Sequence, residues 1–116
     1  LESEDGVFSP LDYKTRGSAP KEIIDSQRYY GLQLSTYSFL LKESGRKVTG
    51  KGYLVYYYPA RVNPDNKVEF SVKVLELEAD PKYAIETIKK AVDVLKNKIP
   101  PEASDGCEFC SYREGL

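Results

Sequence analysis

The run Gly52-Tyr53-Leu54-Val55-Tyr56-Tyr57-Tyr58 constrains the fold more than any other segment of this chain. It is apolar or aromatic at odd and even positions alike, and strand side chains alternate between faces. Such a strand is expected at the centre of a sheet, covered on both sides. Val7 to Lys14 reads as another strand, with Pro10 marking an edge or a bulge. From Ser26 to Glu43, Tyr30, Leu34, Tyr37 and Leu41 recur at helical spacing, and Gly45 ends that helix. Beyond the turn Asn63-Pro64-Asp65-Asn66, Val68, Phe70, Val72 and Val74 alternate with polar residues. The apolar phase then passes to Leu75 and Leu77, which predicts a bulge. Asp80-Pro81 is an N-cap with proline at the first helical position. Ile85, Ile88, Val92, Leu95 and Ile99 then form the buried stripe of a second helix, stopped by Pro100-Pro101. The expected fold is α/β, a small mixed sheet flanked by helices in the order β-α-β-β-α, with a short tail.

Composition narrows the chemistry. The 116 residues, 41% hydrophobic, suit one folded domain with a real core. No apolar run approaches the roughly 20 residues of a membrane helix, so no membrane partner is expected. Two cysteines do not make a secreted disulfide scaffold, and a reducing cytoplasm is the expected compartment. Histidine is absent, which excludes Ser-His-Asp and Cys-His nucleophile systems and a His-ligated zinc hydrolase. Acid–base work must fall to carboxylates, lysine, tyrosine or metal-bound water. The chain starts at Leu1 and has no methionine, so it is expected to be a piece of a longer product. Seventeen basic and 18 acidic residues leave a net charge of −1, less basic than a free-standing nucleic-acid binder usually is. Lys42, Arg46, Lys47 and Lys51 crowd one loop against Glu43 alone; they could touch phosphates, or be no more than a solvated turn.

Asp12 and Lys14 stand at i and i+2 of the first strand, so both side chains point the same way. A carboxylate that can hold a divalent cation beside an ammonium that can orient water suits metal-assisted phosphodiester hydrolysis. A surface strand with charged ends is the plainer reading of that triplet. Gln33 and Tyr37, four apart on the helix, share one face and can look back at the same spot. Tyr37 also lies on the apolar stripe, where its ring can be buried and its hydroxyl wet. Tyr53, Tyr56, Tyr57 and Tyr58 fall on alternate faces of one strand, so core filling explains them better than a base-stacking platform does.

Taken in order, Asp12-Tyr13-Lys14-Thr15, Gln33-Leu34-Ser35-Thr36-Tyr37 and Cys107-Glu108-Phe109-Cys110 resemble the PD-(D/E)XK nuclease superfamily. The likeness is to its RecB-like branch, which includes the CRISPR-associated RecB-like exonucleases, and it runs from Val7 to Arg113. The resemblance implies a restriction-endonuclease-like core over residues 1–116, lacking its N-terminal part and closed by a cysteine-bearing tail over 100–116. It implies hydrolysis of DNA, single-stranded DNA included, with Mg²⁺ or Mn²⁺. Asp12 and the Tyr13 carbonyl would hold the metal, Lys14 would orient the nucleophilic water or steady developing charge, and Gln33 and Tyr37 would support them. The rival is a nuclease-like module that has lost its site and acts in nucleic-acid binding or protein interaction.

In the resembled branch the C-terminal cysteines help hold an iron–sulfur cluster. Cys107 and Cys110 are only two of the four thiolates such a cluster takes, and a zinc site would need two further ligands. A cluster, a zinc ion shared between two copies in a homodimer, or a relic stay open. Two reduced thiols flanking a buried Phe109 is the favoured reading, with Phe109 and Tyr112 pinning the tail. The family's site also needs a second acid on the preceding strand. If a turn centres on Asp5-Gly6, Glu4 pairs with Val7 and the position opposite Asp12 falls before Leu1. Asp5 lies about 23 Å from Asp12 along an extended strand, too far to substitute. Little activity is therefore expected from these 116 residues alone.

Overall fold

A computed structural model describes residues 1–115. The chain runs β1 (Val7–Phe8), β2 (Leu11–Thr15), α1 (Ile23–Glu43), β3 (Lys47–Val48), β4 (Lys51–Val62), β5 (Val68–Glu78), α2 (Pro81–Lys96) and α3 (Glu108–Glu114). The expected β-α-β-β-α order is present, with the first strand split and two short elements added. Among the described residues, no helix is long and apolar enough to cross a membrane.

The split at Ser9-Pro10 has a local cause. Proline has no N–H to give a ladder, and its carbonyl instead accepts from Tyr53 N at 2.9 Å. Before the break, β1 pairs in parallel with β3; after it, β2 pairs in parallel with β4, two residues further along the later strand. A hydrogen bond of 2.7 Å between the Ser9 and Thr49 hydroxyls holds the two interruptions together. The N-terminal turn is one residue wider than expected. Ser3, not Glu4, faces Val7, with Ser3 N donating to Val7 O at 2.9 Å. Gly6, at φ 68°, occupies the left-handed position that this wider turn demands.

β4 lies between β2 and an antiparallel β5, and α1 crosses the sheet on one face. Leu54, Tyr56, Leu75 and Leu77 point up at the helix and meet Leu34 in the core. The opposite face is bare among the described residues. There Phe70, Val72 and Val74 remain half exposed. The central strand is thus covered on one side, not two, and a radius of gyration of 18.9 Å exceeds the roughly 13 Å of a compact domain this long. No bulge accompanies the phase change at Val74-Leu75. Pairing is continuous there, and the two apolar sets simply belong to opposite faces; the irregularity lies at Pro59/Arg61. α2 starts as read, with Asp80 Oδ1 accepting from Lys82 N at 2.9 Å. Its first turns pack on α1, where Ala84 is buried, but of the expected stripe Ile88, Val92, Leu95 and, past the helix end at Lys96, Ile99 stay exposed. α3 buries none of its residues, so Phe109 and Tyr112 do not pin the tail.

Only the helix-facing side contributes a packed core. Leu54→Ala is expected to cost about 3 kcal/mol in urea unfolding, whereas the exposed Val72→Thr should stay within about 0.5 kcal/mol. Equal losses from the two would show that the bare face is buried in solution.

Candidate active site

The site forms where β2 meets the middle of α1. The register sets Asp12 opposite Leu54 and Lys14 opposite Tyr56, and both of those β4 residues face the helix. Asp12 and Lys14 therefore point toward α1. Tyr13, one residue between them, projects its ring from the bare face. Tyr53 N bonds Pro10 O and Arg16 N bonds Tyr57 O, so even-numbered residues of β2 bond to β4. The Tyr13 carbonyl is thereby directed to the open edge of the sheet.

On α1, Leu34 is fully buried against β4. Its neighbour Gln33 is carried to the rim of that contact, level with Lys14. Lys14 Nζ donates to Gln33 Oε1 at 2.9 Å, and Gln33 Nε2 donates to the Tyr37 hydroxyl at 2.8 Å. The amide is used at both ends, its oxygen by the lysine and its nitrogen by the tyrosine. Lys14 also lies 2.6 Å from Asp12 Oδ2 and 4.6 Å from the Tyr30 ring centroid. The four residues singled out for catalysis thus form one connected cluster. Tyr37 is more exposed than its place on the apolar stripe suggested, because Ser35 and Ser38 take the buried side of the helix.

The contact with Asp12 raises the Lys14 ammonium above the ordinary lysine value, outweighing the opposing effect of burial. Lys14 is therefore a fixed cation at neutral pH, suited to donate and attract, not to accept a proton. The close approach to Asp12 Oδ2 is an ion pair. That oxygen is shielded from water and, apart from Lys14, meets no donor among the described residues. The carboxylate already faces one cation, the Lys14 ammonium, and a divalent ion there would share it.

The Asp12 carboxylate and the outward Tyr13 carbonyl are oxygen donors of the kind a hard divalent ion takes, and Mg²⁺ commonly takes one or two carboxylates with water and substrate oxygens. No group of three or more Asp, Glu, Cys or His residues is gathered for a metal among the described residues. Glu4 and Asp5 stay in the N-terminal turn.

Cys107 caps α3, and its sulfur accepts from Cys110 N at 3.4 Å. That backbone N–H lowers the Cys107 thiol pKa, while the neighbouring Cys107 sulfur raises that of Cys110. Both cysteines are free and half-buried. Two thiols do not fit the ligand demand of a four-thiolate cluster. The protein is expected to hold less than one iron per chain by elemental analysis. Stoichiometric iron, with visible absorption lost in Cys107→Ser, would make the tail a cluster site.

Tyr30, which contacts Lys14, and Arg16, which continues its row, were not read as site residues. Arg16 was legible, since i+2 from Lys14 on a strand is the same face. Tyr30 required the seating of the helix.

The raised Lys14 value fixes the sign of a pH effect. Its stabilising contribution is full below the unfolded lysine value of 10.5 and is lost as pH climbs through the higher folded value. The difference in urea midpoint between the native chain and Lys14→Met should stay level through the neutral range and narrow only above pH 10.5. A difference that already closes near neutrality would mean that Lys14 is not held by Asp12.

The sequence profile of the PD-(D/E)XK nuclease superfamily matches residues 1–114. No curated protein matches the chain, and no solved structure does.

Proposed function

This chain belongs to the PD-(D/E)XK nuclease superfamily, and from that premise we propose that it serves metal-dependent hydrolysis of DNA phosphodiester bonds. The observation that supports the reading most is the placement of Lys14 Nζ, 2.6 Å from Asp12 Oδ2 and 2.9 Å from Gln33 Oε1. Asp12, with the Tyr13 carbonyl, would hold Mg²⁺ or Mn²⁺. Such an ion polarises the phosphoryl group and makes bound water more acidic. Lys14 keeps its charge and would present an N–H not taken by Gln33 to a non-bridging phosphate oxygen or to the attacking water. Gln33 and Tyr37 are positioning residues: the amide fixes the ammonium, and the tyrosine hydroxyl fixes the amide. The RecB-like branch is part of this proposal, on the strength of the Gln33-x-x-x-Tyr37 helix.

One observation favours a second reading. Asp12 is the one acid paired with Lys14 among the described residues, which suits a module that binds nucleic acid without cutting it.

Given labelled DNA and Mn²⁺, the chain should cleave it weakly, because Asp12 is the one acid paired with Lys14 among the described residues. Lys14→Ala should lower the rate by about a hundredfold, the usual scale for removing a charge-stabilising donor. Asp12→Asn should weaken Mn²⁺ binding in a titration that does not depend on turnover. Unchanged cleavage in both variants would remove the site from Asp12 and Lys14; binding of DNA with no cleavage would establish the second reading.

A further inference from the structure

The C-terminal end of α1, β3 and the first turn of α2 enclose a groove of about 620 Å³. Gly50 lines it and Tyr56 pairs with Lys14, which puts about 20 Å of extended chain between this groove and the Lys14 cluster. The floor is apolar, made by Val7, Val48 and Pro81, all half-buried. The rim is basic. Lys42, Arg46, Lys47 and Lys82 stand around it and take part in no salt bridge among the described residues. Arg46 is held in place, its guanidinium 5.3 Å from the Phe8 ring centroid and donating to Ser44 Oγ at 2.9 Å. Asp80 is the one acid in the lining among the described residues, and its Oδ1 already accepts from Lys82 N. Glu43 stands in the adjoining hollow with Lys42 and Lys82, so the cations still outnumber the acids. The tail carries the opposite pattern. Glu102, Asp105, Glu108 and Glu114 outnumber Arg113, are exposed, and enter no salt bridge among the described residues. Among these acids Phe109 and Tyr112, three apart on α3, share a face and remain 74% and 69% exposed.

We propose that this groove receives the acidic, aromatic tail of a second copy of the chain, so that two copies exchange tails. Both halves of the tail's pattern find a match. The Phe109 ring would cover the apolar floor, where a buried aromatic anchors an interface. The carboxylates on either side of it would meet the ammonium and guanidinium groups of the rim. A nucleic-acid backbone would match the rim but leave Val7, Val48 and Pro81 without an apolar partner. A copy's own tail begins at the far end of α2, whose 16 residues carry the chain about 24 Å from the groove. Exchange between copies brings each tail to a groove, and because each copy gives what it receives, the pair closes as a twofold dimer. No residue of the Lys14 cluster takes part, so this assembly is independent of the nuclease reading.

Sedimentation velocity of the full chain over a concentration series tests this. Reductant and EDTA are present throughout, which removes a disulfide or a shared metal ion at Cys107 and Cys110 as the link. A monomer–dimer equilibrium that weakens as salt is raised is expected. Phe109→Ala should raise the dimer dissociation constant about thirtyfold, the scale of a central aromatic anchor. Charge reversal gives the sharper test. Lys42→Glu with Lys47→Glu, and Glu102→Lys with Asp105→Lys, should each leave a monomer. Mixed together, the two variants should form a dimer, since each groove again faces a tail of opposite sign. All four side chains are exposed, so both variants keep the fold, and circular dichroism checks this. A chain that is monomeric throughout the series, a dimer indifferent to Phe109 and to both reversals, or reversed variants that do not pair when mixed overturns the inference. A monomer that binds an oligonucleotide and loses it in Lys42→Glu with Lys47→Glu also overturns it, and assigns these cations to nucleic acid.

Discussion

Leu34 sits over Gly52, and the closeness of that seat sets the geometry of the site. A Cβ built on Gly52 would lie 3.2 Å from Leu34 Cβ and 3.2 Å from Ala79 Cβ, tighter than a packed core tolerates without shifting. The absent side chain lets α1 settle onto β4, helped by the small Gly31, Ser35 and Ser38 on its buried face. A larger residue at position 52 would lift the helix by a few tenths of an ångström or more. Gln33 follows Leu34, so its reach to Lys14 depends on the same contact. Hydrogen bonds of 2.9 and 2.8 Å leave little slack for such a shift. Packing in the core and alignment at the site are therefore one constraint.

That dependence explains which parts were legible in the sequence. Asp12 with Lys14 follows from a period of two, and Gln33 with Tyr37 from a helix turn; each needs only local geometry. The capped start of α2 is equally local. What failed was long-range. The run from Gly52 to Tyr58 is apolar on both faces, yet only the face carrying Leu54 and Tyr56 is covered. Sequence alone shows that a face is suited to burial, not that a partner lies on it. The same gap explains α2, whose stripe is real but runs beyond α1, and the tail, whose aromatic rings stay exposed. The bulge expected at Val74-Leu75 failed differently. Both faces of β5 carry apolar residues over different stretches, and a hand-over between faces resembles a phase shift.

On the bare side, Tyr57 and Phe70 stack with ring centroids 4.6 Å apart and planes within 8°. Across the strands Val55 pairs with Val74 and Tyr57 with Val72. These cross-strand pairs stabilise the sheet without a third layer, each by a fraction of a kcal/mol. The sheet thus keeps its order from the helix on one face and from side-chain pairing on the other. Asp12 and Lys14 lie on the better supported face, where displacement is most strongly resisted.

Net charge misleads for a related reason. A total of −1 argues against a polyanion partner only if charges are spread evenly. Here the acids along β4 and β5 are taken up locally. Glu78 pairs with Lys51, Glu76 accepts from the Tyr53 hydroxyl at 3.0 Å, and Glu69 meets Arg61 at 2.7 Å. Those pairs cluster on the bare face and at the far end of the hairpin. The helix-facing edge keeps Arg16, Lys21 and Lys73 outside any salt bridge among the described residues, near a Lys14 whose single ionic partner is Asp12. At a Debye length of about 8 Å, a phosphate at Lys14 responds to those neighbours and hardly to the paired acids beyond. The field at the site is set by which charges are already matched, and on this edge Arg16, Lys21 and Lys73 outnumber Asp25 among the described groups outside any salt bridge.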